Sequence, residues 1–345
     1  MQKIIHSDCL EYMKSLEDNS LDCILTDPPY ALSFMKRKWD KDLPPLEIWE
    51  EALRICKPGA HLLAFGGSRT YHRLTCAIED AGWQIRDCLM WIYGSGYPKS
   101  LSFGKKIGGE WKGYGTGLKP SHEPIVMAMK PLDGTFLQNA EKWSVAGINI
   151  DANRIGNKTH WVHAKSYLGS SGEFVIKGGE KGYVKRESFQ VSGRWPANLI
   201  LDEEAGKLLD QQSGQLSQCG GIKKTTHSDG CFNTGTPQKQ IWFEKNRGAS
   251  RFFYCAKASP SERQGSTHPT MKPLKLMKYL LKLIMPPNPK AIVLDLFAGS
   301  GSTIVAAKQL GFNAIGVEKE EEYVKIAQAR VENAKMDQEQ FKFDS

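Results

Sequence analysis

Asp27, Pro28, Pro29 and Tyr30 could do chemistry together, because they directly follow an apolar strand pattern over residues 21–26. The prolines cannot continue a sheet, and a residue before proline is held in extended geometry. The Asp27 carboxylate and the carbonyls of Asp27 and Pro28 can then accept from a ligand amine, while Tyr30 offers a flat face to a base. This predicts a cage for a planar group with an exocyclic NH2. A plain proline-stiffened turn fits equally well, so a second motif has to decide.

A second apolar strand pattern, over residues 291–297, leads into a glycine turn. Gly299 and Gly301 allow the backbone to approach a ligand closely. A helix and a further strand follow, and that strand ends at Glu318, where an acid can take two ribose hydroxyls. The order of strand, glycine turn, helix, strand and acid predicts a site for an adenosine-containing cofactor.

The residues around the glycine turn narrow the choice of cofactor. A dinucleotide fingerprint requires a third glycine, and that position is Ile304; the chain also has no phosphate-loop GK[ST] motif. Asp295 would repel a pyrophosphate, but it suits the sulfonium and ammonium groups of S-adenosylmethionine. That cofactor makes the two motifs agree, with a methyl donor at one strand end and an amine cage at the next. A nicotinamide-dependent oxidoreductase with an inserted lid is the remote alternative.

The composition fits a globular protein with a basic middle segment. The chain has 345 residues, is 40% hydrophobic, carries a net charge of +8, and shows no membrane-span pattern and no signal peptide at its start. Its eight cysteines form no CxxC pair, which predicts reduced thiols in a cytoplasmic protein. We predict no metal site, although four residues could in principle collect around zinc: Cys219, His227, Cys231 and Cys255.

Strand and helix patterns alternate at both ends of the chain, and one predicted helix spans Leu46 to Cys56. Such alternation predicts a largely parallel sheet. Residues 97–120 interleave aromatics with lysines, which suits contact with a nucleic acid but also an ordinary exposed loop. Residues 131–266 hold 17 of the 33 glycines and 18 basic against 13 acidic residues, so they are interpreted as an inserted, loop-rich module.

The sequences DPPY at residues 27–30 and FAGSG at residues 297–301, in this order, resemble the β class of DNA amino-methyltransferases. The resemblance implies a circularly permuted, Rossmann-like α/β sheet of seven mostly parallel strands with an inserted target-recognition region. It divides the chain into a catalytic half at 1–130, a target-recognition and DNA-binding insertion at 131–266, and a cofactor-binding half at 267–345. The permutation also implies that Met1 lies near the end of the last helix.

The same resemblance implies S-adenosylmethionine as cofactor and assigns roles to residues of this chain. The catalytic residues would be Asp27, Pro28, Pro29 and Tyr30. The cofactor-binding residues would be Asp8, Cys9, His268, Thr270, Lys272, Asp295, Phe297, Ala298, Gly299, Ser300, Gly301, Ser302 and Glu318. Residues 57–59 and His122–Glu123 resemble signatures around the base pocket. From a polar, basic loop predicted over residues 33–42 and from the interleaved lysines and aromatics at 97–120, we add as DNA-binding candidates Lys36, Arg37, Lys38, Lys99, Lys105, Lys106, Trp111 and Lys112.

The implied reaction is methylation of a flipped-out base in double-stranded DNA. Tyr30 would stack on the base, and Asp27 with the Pro28 carbonyl would accept the two amine hydrogens. Asp before Pro-Pro-Tyr favours adenine N6, with cytosine N4 as the alternative; a DNA-binding protein with an idle methyltransferase fold is a third hypothesis. A homodimer and a separately encoded restriction endonuclease are possible partners, in a bacterial or phage-encoded enzyme associated with the nucleoid.

Overall fold

The computed structural model describes residues 1–32, 40–96, 98, 100–162, 174–175, 181–182, 189–214, 248–256 and 271–337. Its strands are β1 (Gln2–His6), β2 (Leu21–Thr26), β3 (Cys56–Phe65), β4 (Gln84–Ile92), β5 (His122–Met129), β6 (Ile155–Val162), β7 (Phe174–Val175), β8 (Lys181–Gly182), β9 (Phe189–Arg194), β10 (Leu199–Asp202), β11 (Tyr254–Ala256), β12 (Ile292–Asp295) and β13 (Asn313–Glu318). Its α-helices are α1 (Cys9–Lys14), α2 (Leu46–Ile55), α3 (Tyr71–Asp80), α4 (Phe103–Lys106), α5 (Phe136–Trp143), α6 (Glu203–Ser213), α7 (Leu274–Ile284), α8 (Ser302–Leu310) and α9 (Glu321–Asn333).

A nine-stranded sheet in the order β1-β13-β12-β2-β3-β5-β4-β10-β11 organises the described residues. Its strands run parallel except β5, which pairs antiparallel with both β3 and β4. At one edge β1 pairs in parallel with β13, with Gln2 opposite Ala314, and α9 contacts β1. The first strand thus occupies the position that would follow the last helix, which agrees with the predicted permutation. The α/β class with a mostly parallel sheet is confirmed.

Helices cover both faces of the sheet, as a parallel sheet requires. The side chains of Cys23 and Leu25 in β2 pack in the cluster that contains α7 and α8. The intervening Ile24 packs in the cluster that contains α1, α2 and α3. This alternation explains why the three consecutive residues at 23–25 are all apolar, since both faces of β2 are buried.

The predicted count of seven strands is too low by two. Strand β10 pairs in parallel with β4, with Leu199 opposite Met90, and β11 pairs in parallel with β10. Both strands come from the segment predicted to be loop-rich, in which the apolar run over residues 199–201 is short and is surrounded by glycine-rich sequence. Part of that segment therefore extends the central sheet. Asp202 caps α6, which follows, by accepting from the Ala205 backbone N–H.

None of the helices in the described ranges is long and apolar enough to cross a membrane. Within the same ranges, no group of His, Cys, Asp and Glu side chains is arranged to hold a metal ion. Of the four zinc candidates, only Cys255 falls within these ranges.

Candidate active site

The two motifs meet at one edge of the sheet because β2 and β12 are parallel neighbours. Asp27 directly follows β2, and Asp295 is the last residue of β12. The carboxyl ends of parallel strands are where open α/β sheets bind ligands. Here they border a single cavity of about 390 Å³, which is lined by residues 27–30 on one side and by the glycine turn and Glu318 on the other.

Asp27, Tyr30, Glu123 and the ring of Phe65 surround the Lys272 ammonium, and we call these four residues the amine cage. The Tyr30 hydroxyl donates to Asp27 Oδ1 over 2.7 Å and lies 3.2 Å from Glu123 Oε2. Lys272 Nζ lies 2.8 Å from Asp27 Oδ2, 3.1 Å from Glu123 Oε2 and 3.1 Å from the Tyr30 hydroxyl. The structure thus brings Asp27 and Tyr30 together with Glu123 and Phe65, and a side-chain ammonium of this chain fills the space between them.

The backbone around Tyr30 is fixed from both sides. Its N–H donates to Asp40 Oδ1 over 2.7 Å, and its carbonyl accepts from the Thr70 hydroxyl over 2.7 Å. The next residue, Ala31, has a φ of 56°, in the left-handed region that residues with a side chain rarely adopt. These contacts hold Tyr30 in place beside the cavity that it lines.

The protonation states in the cage follow from burial and from the two carboxylates. Burial opposes the charged form of Lys272, but Asp27 and Glu123 outweigh it and raise the pKa of Lys272 above its ordinary value. Burial, followed by the charges of Asp27 and Glu123, raises the pKa of Tyr30 well above its ordinary value. At neutral pH the lysine is therefore a cation and the tyrosine a neutral hydrogen-bond donor.

On the cofactor side of the cavity, Glu318 is bound to the glycine turn. Its Oε2 accepts from the Gly299 N–H over 2.7 Å, and its Oε1 accepts from the Glu320 N–H over 2.8 Å. Asp8 caps α1 by accepting from the Leu10 N–H over 3.0 Å and pairs with Lys319 over 3.1 Å. Both acids line the cavity, as predicted.

Asp295 lies at the cavity wall but is only 2% exposed. Its carboxylate accepts from the hydroxyls of Thr26 over 2.8 Å and Thr303 over 2.5 Å, and from the Phe297 N–H over 3.2 Å. These bonds tie β2, β12 and α8 together at the ligand edge. Burial, partly offset by the two threonine hydroxyls, raises the pKa of Asp295 to about 6.

The buried Asp295 should make stability depend on pH. Because its folded-state pKa of about 6 exceeds the ordinary 3.8, folding favours the protonated form. The stabilisation is fully present below pH 3.8 and is lost as the pH rises through 6, a change of about 3 kcal/mol. Denaturant titrations of the wild type and of Asp295→Asn at pH 4 and 7 should show this extra loss in the wild type alone. A parallel pH dependence of the two proteins would contradict the assignment.

Most of the predicted cofactor residues in the described ranges line the cavity, but two differ from expectation. Gly301 is absent from the lining because its α-carbon faces α9, where a Cβ would lie 2.9 Å from Ala327 Cβ. Lys272 lines the cavity, but its ammonium is directed into the amine cage. The other predicted cofactor-binding residues that line the cavity are Asp8, Cys9, Asp295, Phe297, Ala298, Gly299, Ser300, Ser302 and Glu318. His268, Thr270, Lys36, Arg37, Lys38 and Lys99 lie outside the described residues.

Substitution at Gly301 should therefore destabilise the fold. Its φ of 79° disfavours any side chain, and the added methyl group would clash with Ala327. We expect Gly301→Ala to lower the free energy of unfolding by about 2–4 kcal/mol, which combines backbone strain and overpacking. Gly113→Ala is the matched control, because its φ is 91° and no heavy atom lies within 4 Å of the added Cβ. Urea denaturation measures the free energy of unfolding of both variants. An equal decrease in Gly301→Ala and Gly113→Ala would show that the clash with Ala327 does not contribute.

Two further sequence expectations differ in outcome. Glu123 lies in the amine cage, in agreement with its resemblance to a signature around the base pocket. Residues 57–59 lie at the amino end of β3, whereas the cage is at the carboxyl end beside Phe65. There Lys57 pairs with Asp22 over 2.6 Å, so residues 57–59 lie at the end of the sheet opposite the cavity. That expectation was wrong because these residues begin the strand, whereas a parallel strand presents its carboxyl end to the ligand.

The fold and the site define a class of α/β protein that binds an adenosine-type cofactor beside an acidic cage for an amine. A family model described as DNA methylase, for N6 and N4 methyltransferases, matches residues 21–329. The chain belongs to this DNA methylase family. The match excludes the alternative of a nicotinamide-dependent oxidoreductase.

Individual relatives agree with the family. The type II methyltransferase M.HinfI of Haemophilus influenzae is 40% identical over 97% of this chain and 69% of that protein. M.HindIII, also of Haemophilus influenzae, is 23% identical over 95% of this chain and 94% of its own length. Among solved structures, the cytosine-N4-specific PvuII DNA methyltransferase has a TM-score of 0.51 at 15% identity, covering 95% of this chain and 86% of that one. A structure of the M1.HpyAVI–SAM complex has a TM-score of 0.46 at 20% identity, covering 96% and 100%.

Proposed function

We propose that this protein, a DNA methyltransferase that uses S-adenosylmethionine, methylates the exocyclic N6 of adenine at specific sites in double-stranded DNA. The observation that carries the proposal is the single cavity that joins Asp27 and Tyr30 to the glycine turn and Glu318. A methyl donor and an acceptor amine can meet only in such a shared space. Its volume of about 390 Å³ lies within the usual range for cofactor sites.

The residues on the cofactor side fit S-adenosylmethionine. At the glycine turn, Gly299 has no side chain that would separate its backbone from a ligand in the cavity. The Glu318 carboxylate lines the same cavity and is placed for ribose hydroxyls. Phe297 and Ala298 add apolar lining for an adenine ring. When bound, S-adenosylmethionine supplies an electrophilic methyl group.

The residues on the acceptor side fit an amine that gains positive charge. The target base has to leave the duplex to reach the cavity, and the Tyr30 ring then offers it a stacking surface. Asp27 and the Pro28 carbonyl accept the amine hydrogens and direct the nitrogen lone pair towards the methyl group. The nitrogen becomes cationic as the bond forms, and Asp27 and Glu123 stabilise that charge before a proton leaves to Asp27 or to solvent.

A lobe between β4 and β5 supports a DNA contact next to the cage. It joins Ile92 to His122, the residue before Glu123. Trp111 is 48% exposed and packs edge-on against Phe103 with ring centroids 5.2 Å apart. Three of the lysines predicted to bind DNA lie in the described part of this lobe, and each is exposed: Lys105, Lys106 and Lys112. Such a basic and aromatic surface suits phosphates and unstacked bases.

A second group of arginines and aromatic rings, in which the arginines are partly buried, was missed by sequence reasoning. Arg154 lies over the Trp195 ring at 5.6 Å, and Arg194 and Arg251 lie over Phe252 at 5.1 and 4.2 Å. Its only sequence signal is the basic excess of residues 131–266, because the three arginines are far apart along the chain. We assign it to target recognition together with that segment. A homodimer and a separate endonuclease partner stay predictions.

Nucleoside mass spectrometry of mixed-sequence DNA tests the proposal after incubation with the protein and S-adenosylmethionine. N6-methyladenine is the expected product, and the modified fraction of adenines measures site selectivity. N4-methylcytosine would retain the cage mechanism and overturn the base assignment. Bound cofactor with no methylated base in DNA would overturn the proposed substrate.

A further inference from the structure

Lys272 occupies the position that the proposed function gives to the target amine. Its side chain is 7% exposed, and its ammonium contacts both carboxylates of the amine cage and the Tyr30 hydroxyl. It also lies 5.3 Å from the centroid of the Tyr30 ring and 4.8 Å from that of Phe65. Two carboxylates and two aromatic faces are the surroundings that a cation prefers.

This cage therefore complements a positively charged nitrogen better than a neutral one. A neutral amine can donate its two hydrogens to Asp27 and the Pro28 carbonyl, but it brings no charge to balance the carboxylates of Asp27 and Glu123. The acceptor nitrogen acquires that charge only as the methyl group is transferred. The Lys272 ammonium thus carries the same positive charge as the methylated amine before it loses its proton, and it lies against the two carboxylates that would stabilise that charge.

We propose that Lys272 is an internal stand-in for the substrate amine, which fills the amine cage of the DNA-free enzyme and leaves it when the flipped base enters. The inference rests on the proposed function, since it takes the cage to be the base-binding site. Lys272 is then a positioning residue: it keeps Asp27, Tyr30 and Glu123 in the arrangement that the base requires. Entry of the base is an exchange between two occupants of one site.

The exchange predicts a measurable competition. When a site is open for only a fraction of the time, the apparent Kd equals the intrinsic Kd divided by that fraction. Removing the ammonium should therefore tighten binding of a base-containing target by about tenfold. A lysine that merely attracts phosphates would have the opposite effect, because its removal weakens DNA binding.

The first experiment compares Lys272→Met with the wild type on a duplex that the wild type methylates. Methionine retains an unbranched apolar side chain and removes the positive charge. We expect the variant to bind this duplex about tenfold more tightly than the wild type does. On the same duplex with an abasic site at the target position, the two proteins should have equal affinity, because no base enters the cage. Lys275→Met is the matched control, a partly exposed lysine on α7 outside the cage. Unchanged or weaker binding by folded Lys272→Met would overturn the proposal.

The second experiment uses Lys272→Ala and propylammonium chloride, which supplies three carbons and an ammonium in place of the Cγ, Cδ, Cε and Nζ atoms that the substitution removes. We expect propylammonium to raise the melting temperature of Lys272→Ala, relative to equal sodium chloride, without affecting the wild type. It should also inhibit methylation by Lys272→Ala competitively with DNA. Rescue of lost activity by propylammonium would overturn the proposal, because it would show that the ammonium is required during transfer.

Failure of the proposed function and failure of the stand-in role of Lys272 give different experimental results. If the cage binds a cation but the protein does not methylate DNA, propylammonium still stabilises Lys272→Ala while the wild type yields no methylated base. If the proposed function holds and the stand-in role does not, the wild type methylates DNA and Lys272→Met gains no affinity. Circular dichroism of both variants shows whether a loss arises from misfolding.

Discussion

Asp27→Asn is expected to lower the methylation rate constant by about 10³-fold while DNA and cofactor binding persist. The carboxylate accepts from the Tyr30 hydroxyl through one oxygen and from Lys272 through the other. An amide at this position presents one acceptor and an NH2 group, which faces other donors. The variant can therefore neither hold both hydrogens of an amine nor stabilise the positive charge that develops on it.

Single-turnover kinetics with saturating DNA and cofactor separate this effect from binding. Asp80→Asn provides the control, since that residue is exposed at the end of α3 and lies away from the cavity. Full activity in Asp27→Asn would contradict the cage mechanism. Complete loss of turnover with DNA binding retained would also exclude the hypothesis of an idle methyltransferase fold.

Glu318→Gln is expected to weaken cofactor binding by about 10- to 100-fold, or about 1.4–2.8 kcal/mol. Glu318 is the acid at the end of β13 that faces the cavity, and in the free protein its two oxygens accept from backbone N–H groups of Gly299 and Glu320. Glutamine retains one acceptor, so much of the local structure should persist. It loses the charge that strengthens hydrogen bonds to ribose hydroxyls.

Isothermal titration calorimetry with S-adenosylmethionine measures this change directly. Glu321→Gln is the matched control, an exposed residue of α9 that pairs with Lys325 over 2.7 Å. We expect the control to bind the cofactor as the wild type does. An equal loss in both variants would indicate a general electrostatic effect instead of a ribose contact.

The sequence by itself determined the two motifs, their order and the class of fold. Apolar runs, prolines and glycines act locally, so a helix predicted over Leu46 to Cys56 was found at Leu46–Ile55, and the glycine turn precedes α8 as expected. Parallel strands place their carboxyl ends at one edge, and that rule predicts the shared cavity that Asp27 and Glu318 line.

Only the tertiary structure decided which distant segments share the site. Lys272 enters the amine cage across 245 residues of sequence, and no local pattern distinguishes a lysine directed at a cofactor from one directed at a carboxylate pair. Strand β10 likewise joins the sheet because β4 offers it a backbone edge, and β11 then pairs with β10, although both strands are short. Such pairings depend on the order of strands in space, which local propensity does not encode.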